Sequence, residues 1–131
     1  VHASRYEAMK QALAAALASI QVGPGSAPGS QMGPLIDPGT AERVQRRIEQ
    51  AMDDADEVIL RGQRLGGPLL QGGFVSPTLV AHRDTSASFV QDEVFGPLVV
   101  LEKFETEPEA VARANHSDFG LSASVWTEQG A

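Results

Sequence analysis

A regular alternation of helical and extended patterns limits this chain to a small set of folds. Apolar residues recur every three or four positions over residues 4–20, which predicts an amphipathic helix. A second helix is predicted to begin at Asp37-Pro38, because aspartate caps free backbone N–H groups and proline fits the first helical turn. A third is predicted from Thr106, which forms a capping-box pattern with Glu109. Extended segments separate these helices, as in α/β proteins.

The extended segments predict the strands of a sheet. They are residues 57–61, 74–82, 98–101 and 122–127, with one helical turn near Val90. Residues 98–101 are Leu-Val-Val-Leu without interruption, which predicts a parallel strand buried on both faces. We therefore expect an α/β fold with a mostly parallel sheet and flanking helices. Ligands of such sheets usually lie at the carboxyl ends of the strands.

The composition bounds the size and class of the protein. With 131 residues the chain is long enough for one domain with a core and too short for two. It has no cysteine, which excludes a disulfide, a thiolate metal site and a cysteine nucleophile within these residues. Its net charge of −7, mostly from acidic residues after position 50, argues against nucleic acid as a partner. No apolar run has the length of a membrane span and no signal-peptide pattern is visible, so we expect no membrane partner and a cytoplasmic location.

Most common site motifs are missing from the sequence. His2, His82 and His116 are isolated and lack metal-ligand spacing. The glycine-rich stretches do not have the spacing of a phosphate-binding loop, and no G-x-S-x-G pattern marks a serine nucleophile. The acidic cluster at residues 53–57 lacks the spacing and turn glycine of a calcium loop, so it is better explained as a solvated helix end.

The best candidate site is the segment of residues 91–97, Gln-Asp-Glu-Val-Phe-Gly-Pro, directly before the apolar strand. A carboxylate such as that of Glu93 can accept hydrogen bonds from two ribose hydroxyls, and Phe95 offers a flat apolar face to a planar ring. An acidic loop with its aromatic residue in the core and a Gly-Pro turn would explain the same residues. Both interpretations remain open on this segment alone.

Five segments taken together resemble the NAD(P)-dependent aldehyde dehydrogenase family. Residues 91–97 are similar to its E-E-x-F-G-P segment, with an aspartate as the first acidic residue. The other four have the order and spacing of the family: G-P-L-I in residues 32–36, G-x-F-x-x-P-T in residues 72–79, F-x-x-x-x-E-A-x-x-x-A-N in residues 104–115, and aromatic-G-L-x-A in residues 119–123. The resemblance covers nearly the whole chain.

The resemblance implies a reaction and a cofactor. In this family a cysteine thiolate attacks an aldehyde, hydride passes to NAD or NADP, and a glutamate activates the water that hydrolyses the thioester to a carboxylic acid. The nucleophile, the general base and most of the cofactor site would lie outside residues 1–131. We therefore expect a single partial catalytic domain, truncated at both ends and inactive alone. Its parent is expected to be a homo-oligomer that acts on a small-molecule aldehyde.

The resemblance also implies roles for two residues, both of them cofactor contacts. Glu93 matches the family glutamate that binds the nicotinamide-ribose hydroxyls, and Phe95 matches the aromatic residue beside the nicotinamide. Gln91 and Asp92 receive no role, and no residue is assigned to catalysis or to a metal. Two alternatives remain: a non-catalytic, truncated remnant that acts as a binding or assembly module, and an unrelated α/β binder of small molecules.

Overall fold

The computed structural model describes residues 1–128, without the side chain of Leu70. The α-helices in these residues are α1 (Tyr6–Ala18), α2 (Pro38–Asp54), α3 (Ser88–Gln91) and α4 (Glu107–Ala114). The strands are β1 (Glu57–Leu60), β2 (Thr78–Ala81) and β3 (Leu98–Leu101), and 3-10 turns occupy Ala3–Arg5 and Gly67–Gly72. No helix in the described part of the chain is long and apolar enough to cross a membrane.

The sheet is mixed, with its strands in the order β1-β2-β3. β1 is antiparallel to β2, with Glu57 opposite Ala81, whereas β2 is parallel to β3, with Thr78 opposite Leu98. This corrects the prediction of a mostly parallel sheet. The physical reason is that the connection from β1 to β2 contains no α-helix, and a chain that returns through turns pairs antiparallel. The parallel pair, by contrast, is joined by a crossover that contains α3.

The core lies between α2 and the middle of the sheet. The apolar stripe of α2 faces this core, and its four members are all buried: Ala41, Val44, Ile48 and Ala51. They form one cluster with Val75, Val80 and Phe89 from the rest of the chain. Helix α2 consequently contacts both β2 and α3. Helix α1 is confirmed, but none of its residues is fully buried.

Local capping determines where two of the helices begin. The Asp37 carboxylate accepts hydrogen bonds from the backbone N–H of Thr40 at 2.7 Å and from its hydroxyl at 2.9 Å. These two bonds, the backbone one first, hold the pKa of Asp37 below its ordinary value. At the start of α4, Thr106 accepts from the N–H of Glu109, whose carboxylate accepts from the N–H of Glu105 at 2.8 Å. Both predicted helix starts are therefore confirmed.

Two strand predictions need correction. The first three residues of β3 are only half-buried and Leu101 alone is buried, because β3 is an edge strand of the described sheet. Residues 122–127 form no strand, and Trp126 is 93% exposed. A strand needs a neighbour that takes up its backbone hydrogen bonds, and nothing in residues 1–128 pairs with this segment.

Candidate functional site

The candidate site is the loop of residues 92–97, which joins α3 to β3. At its start, the N–H of Asp92 donates to the carbonyl of Ser88 at 2.7 Å and so closes α3. At its end, the carbonyl of Pro97 accepts from the N–H of Thr78 at 2.8 Å. The loop lies at the amino ends of the parallel pair β2 and β3, and not at their carboxyl ends, where the sequence led us to expect a ligand.

Glu93 and Phe95 meet at one shallow concavity of about 310 Å³. The other side chains that line it are apolar and belong to Phe89, Val94, Leu98 and Val100. The Glu93 side chain is exposed, and within residues 1–128 no hydrogen bond reaches its carboxylate. The loop thus presents an acceptor for hydroxyl groups and a flat ring at the same, largely apolar concavity.

Phe95 is held in an unusual backbone conformation. Its φ is +54°, and it alone among the described non-glycine residues has a positive φ. This left-handed conformation costs roughly 1–2 kcal/mol for a residue with a Cβ atom. The side chain is 77% exposed, so the interpretation that places this aromatic residue in the core is wrong. Strained residues of this kind cluster at sites that contact ligands.

Two side chains of helix α2 contact the loop of residues 92–97. Arg47 Nη1 donates to the backbone carbonyl of Glu93 at 2.6 Å, and Arg47 Nη2 lies 3.6 Å from Asp92 Oδ2. Three residues earlier, Val44 packs against Gly96 so closely that a Cβ atom at Gly96 would overlap Val44 Cγ1. The loop therefore rests on two side chains of the same helix.

Arg47 was missed by the sequence analysis. It lies 46 positions from Glu93, and Arg43, Arg46 and Arg47 look alike as charged residues on the outer side of α2. Nothing in the spacing of these three arginines distinguishes the one that reaches the loop. The fold alone identifies it.

The other polar residues singled out from the sequence make contacts within the chain. The Gln91 amide donates to two backbone carbonyls, one of them that of His116, and so ties the start of the site to the end of α4. His82 Nδ1 lies 3.7 Å from Asp56 Oδ2, and its ring packs on Phe89 with ring centroids 4.9 Å apart. In the part of the chain that the structure describes, no group of three or more His, Cys, Asp or Glu residues could hold a metal ion.

Comparisons with known proteins agree on one family. The sequence model of the aldehyde dehydrogenase family matches residues 1–131. Glutarate-semialdehyde dehydrogenase of Pseudomonas putida is 36% identical over 118 residues, which are 90% of this chain and 24% of that protein. Phenylacetaldehyde dehydrogenase of Pseudomonas fluorescens is 40% identical over 128 residues, which are 97% of this chain and 25% of that protein. The NAD+ complex of an aldehyde dehydrogenase from Bacillus cereus superposes with a TM-score of 0.89 and 35% identity, covering 98% of this chain and 26% of that one.

The extent of these matches is the same in each case. The chain spans about a quarter of the length of the relatives it matches, and the matched part includes the loop of residues 92–97. Similarity over nine-tenths or more of the chain, in sequence and in fold, excludes an unrelated α/β binder. The chain belongs to the aldehyde dehydrogenase family.

Proposed function

We propose that this chain is part of the catalytic domain of an NAD(P)-dependent aldehyde dehydrogenase. The whole enzyme oxidises a small-molecule aldehyde to a carboxylic acid through a cysteine thioester, and acts as a homo-oligomer in the cytoplasm. Support comes from the relatives, which are aldehyde dehydrogenases by name, and from one that was solved with NAD+. The nucleophile, the general base and most of the cofactor site belong to other parts of the enzyme.

The role of this chain is to contact the nicotinamide end of the cofactor. The observation that carries the proposal is that Glu93 and Phe95, both exposed, share one concavity. A carboxylate can accept hydrogen bonds from both hydroxyls of a ribose, and an aromatic ring packs against a planar group. Among residues 1–128 no basic side chain lines the concavity, so it suits a ribose better than a phosphate.

Each of the two side chains has a distinct task in this proposal. Glu93 orients the ribose, and Phe95 covers one side of the reacting region and keeps water away. When bound, the cofactor supplies the acceptor for hydride. Reactions of this kind depend steeply on the distance between the reacting atoms, so a contact that orients the cofactor affects rate more than affinity.

Glu93→Gln in the full-length enzyme tests this role. The variant keeps the size of the side chain but loses its charge and one strong acceptor, and we expect single-turnover hydride transfer to slow about tenfold or more. The dissociation constant of the cofactor should change less than the rate. Glu107→Gln, on an exposed residue of α4, is the matched control and should behave like the wild type. An unchanged hydride-transfer rate in Glu93→Gln refutes the role.

Two simpler observations separate the enzyme from a non-catalytic module. The 131-residue chain alone is expected to show no reduction of NAD(P)+ with any aldehyde, and steady reduction would contradict the proposal. The coding DNA before Val1 is expected to continue in frame through a cysteine, a glutamate and a dinucleotide-binding half. A start codon immediately before Val1 would instead favour a binding or assembly module.

A further inference from the structure

We propose that Arg47 is a positioning residue for the loop of residues 92–97. Together with Val44 on the same face of α2, its guanidinium sets the direction in which the loop presents Glu93 and Phe95. The inference rests on the proposed function of those two residues, and it adds a residue from a distant element to the same site.

The bond from Arg47 to the backbone carbonyl is the stronger of its two contacts with the loop. At 2.6 Å from Nη1 to the Glu93 oxygen, it is a short hydrogen bond from a charged donor. The contact with Asp92 is longer, at 3.6 Å, and both side chains are about half exposed, so solvent screens it. The main function of Arg47 in the loop is therefore to hold a peptide plane.

That peptide plane sets the backbone beside Glu93 and the course of the chain towards Phe95. The carbonyl belongs to the planar peptide bond between Glu93 and Val94, so rotating it changes backbone dihedrals on both sides. Phe95 follows Val94, one residue beyond this plane, and its φ of +54° persists only where its surroundings hold it. A bond that stops the plane between Glu93 and Val94 from rotating consequently restricts the backbone beside Glu93 and on the approach to Phe95.

A second contact from α2 holds the other side of Phe95. Val44 is 3% exposed and packs against Gly96, leaving no room for a Cβ atom there. Because Val44 and Arg47 are three residues apart in a helix, they lie on the same face. Helix α2 thus contacts the loop on both sides of Val94 and Phe95, at the Glu93 carbonyl before them and at Gly96 after them.

Arg46 provides a matched control on the same helix. It carries the same charge and is exposed, but it makes no hydrogen bond or ion pair within residues 1–128. Arg47→Ala and Arg46→Ala therefore remove the same side chain from adjacent positions, and only the first removes the contact with the loop. Arg47→Lys keeps the charge but replaces the two guanidinium nitrogens, which contact the Glu93 carbonyl and Asp92 separately, by a single ammonium nitrogen.

The experiment compares these variants with Glu93→Gln in the full-length enzyme. Amide hydrogen exchange of a peptide covering residues 92–97 reports how far the loop backbone is restrained. Single-turnover hydride transfer reports whether that restraint affects the rate of the reaction. We expect Arg47→Ala to speed exchange in this peptide and to slow hydride transfer about tenfold, with a smaller change in cofactor dissociation constant. Arg47→Lys should be intermediate. Added guanidinium ion should restore part of the rate in Arg47→Ala but none in Glu93→Gln.

The outcomes distinguish this inference from the proposed function. If Glu93→Gln is slow while Arg47→Ala matches Arg46→Ala in exchange and rate, the positioning role is overturned and the role of Glu93 stands. Faster exchange in Arg47→Ala without loss of rate also overturns the positioning role. If Glu93→Gln transfers hydride as fast as the wild type, the proposed function fails and the inference fails with it.

Discussion

Replacing Gly96 by alanine should destabilise the protein, because the new methyl group would have no room. An ideal Cβ atom at Gly96 overlaps Val44 Cγ1 and lies 3.4 Å from Val44 Cβ. Val44 cannot move away easily, since it is 3% exposed in the core cluster and a valine in a helix has one strongly preferred rotamer. The loop itself must therefore shift away from α2.

The magnitude follows from the two side chains involved. Forcing an extra methyl group into a packed core costs about 1–3 kcal/mol. Val44→Ala removes the obstruction but loses two buried methyl groups, about 1.6 kcal/mol at roughly 0.8 kcal/mol each, before any cavity is counted. In the double variant the methyl group at position 96 occupies space that Val44 has left. Its destabilisation should therefore fall short of the sum of the single variants by about 1–2 kcal/mol.

Urea unfolding of the wild type, both single variants and the double variant measures this coupling at constant m-value. Gly25→Ala is the matched control, because a Cβ atom there meets nothing within 4 Å, and it should change stability by less than about 0.5 kcal/mol. The close approach of α2 and the loop is refuted if Gly96→Ala is as neutral as the control. Strict additivity in the double variant would refute it equally.

Two further predictions concern the β1–β2 connection and the start of α2. Gly62→Ala should cost about 3 kcal/mol or more, because the new Cβ atom would overlap the backbone carbonyl of Ser76, which a rotamer change cannot relieve; a nearly neutral urea midpoint would contradict this. Asp37→Asn keeps a cap for Thr40 but does not titrate. Because the folded pKa of Asp37 is below its ordinary value of 3.8, its charge stabilises the fold above about pH 4, and this contribution is lost as the pH falls through the folded pKa. The free energy of unfolding of the wild type should therefore fall relative to that of Asp37→Asn as the pH is lowered. A difference between the two that stays constant down to about pH 3 would disprove the linkage.

The elements of the fold were more predictable than their arrangement. The start of α2 at Asp37-Pro38 and its buried stripe through Ile48 depend on contacts within a few positions of the chain, so the sequence showed them directly. The antiparallel direction of β1 could also be predicted from the sequence, because no helical pattern separates β1 from β2. Parallel neighbours need a long crossover, usually a helix, so this connection favours antiparallel pairing. Alternation in residues 122–127 predicted a strand, although alternation says nothing about whether a partner strand is present.

The sequence by itself determined the family and the two residues proposed to contact the cofactor. Glu93 and Phe95 were selected because their order and spacing match a family segment, and a motif of adjacent residues needs no knowledge of the fold. Only the tertiary structure decided that Phe95 faces solvent and that Arg47 holds the carbonyl of Glu93. The rotation of α2 against the core determines which of its arginines reaches the loop and brings Val44 against Gly96. Such contacts join positions far apart in the chain, and packing decides them because local propensity does not extend beyond a few residues.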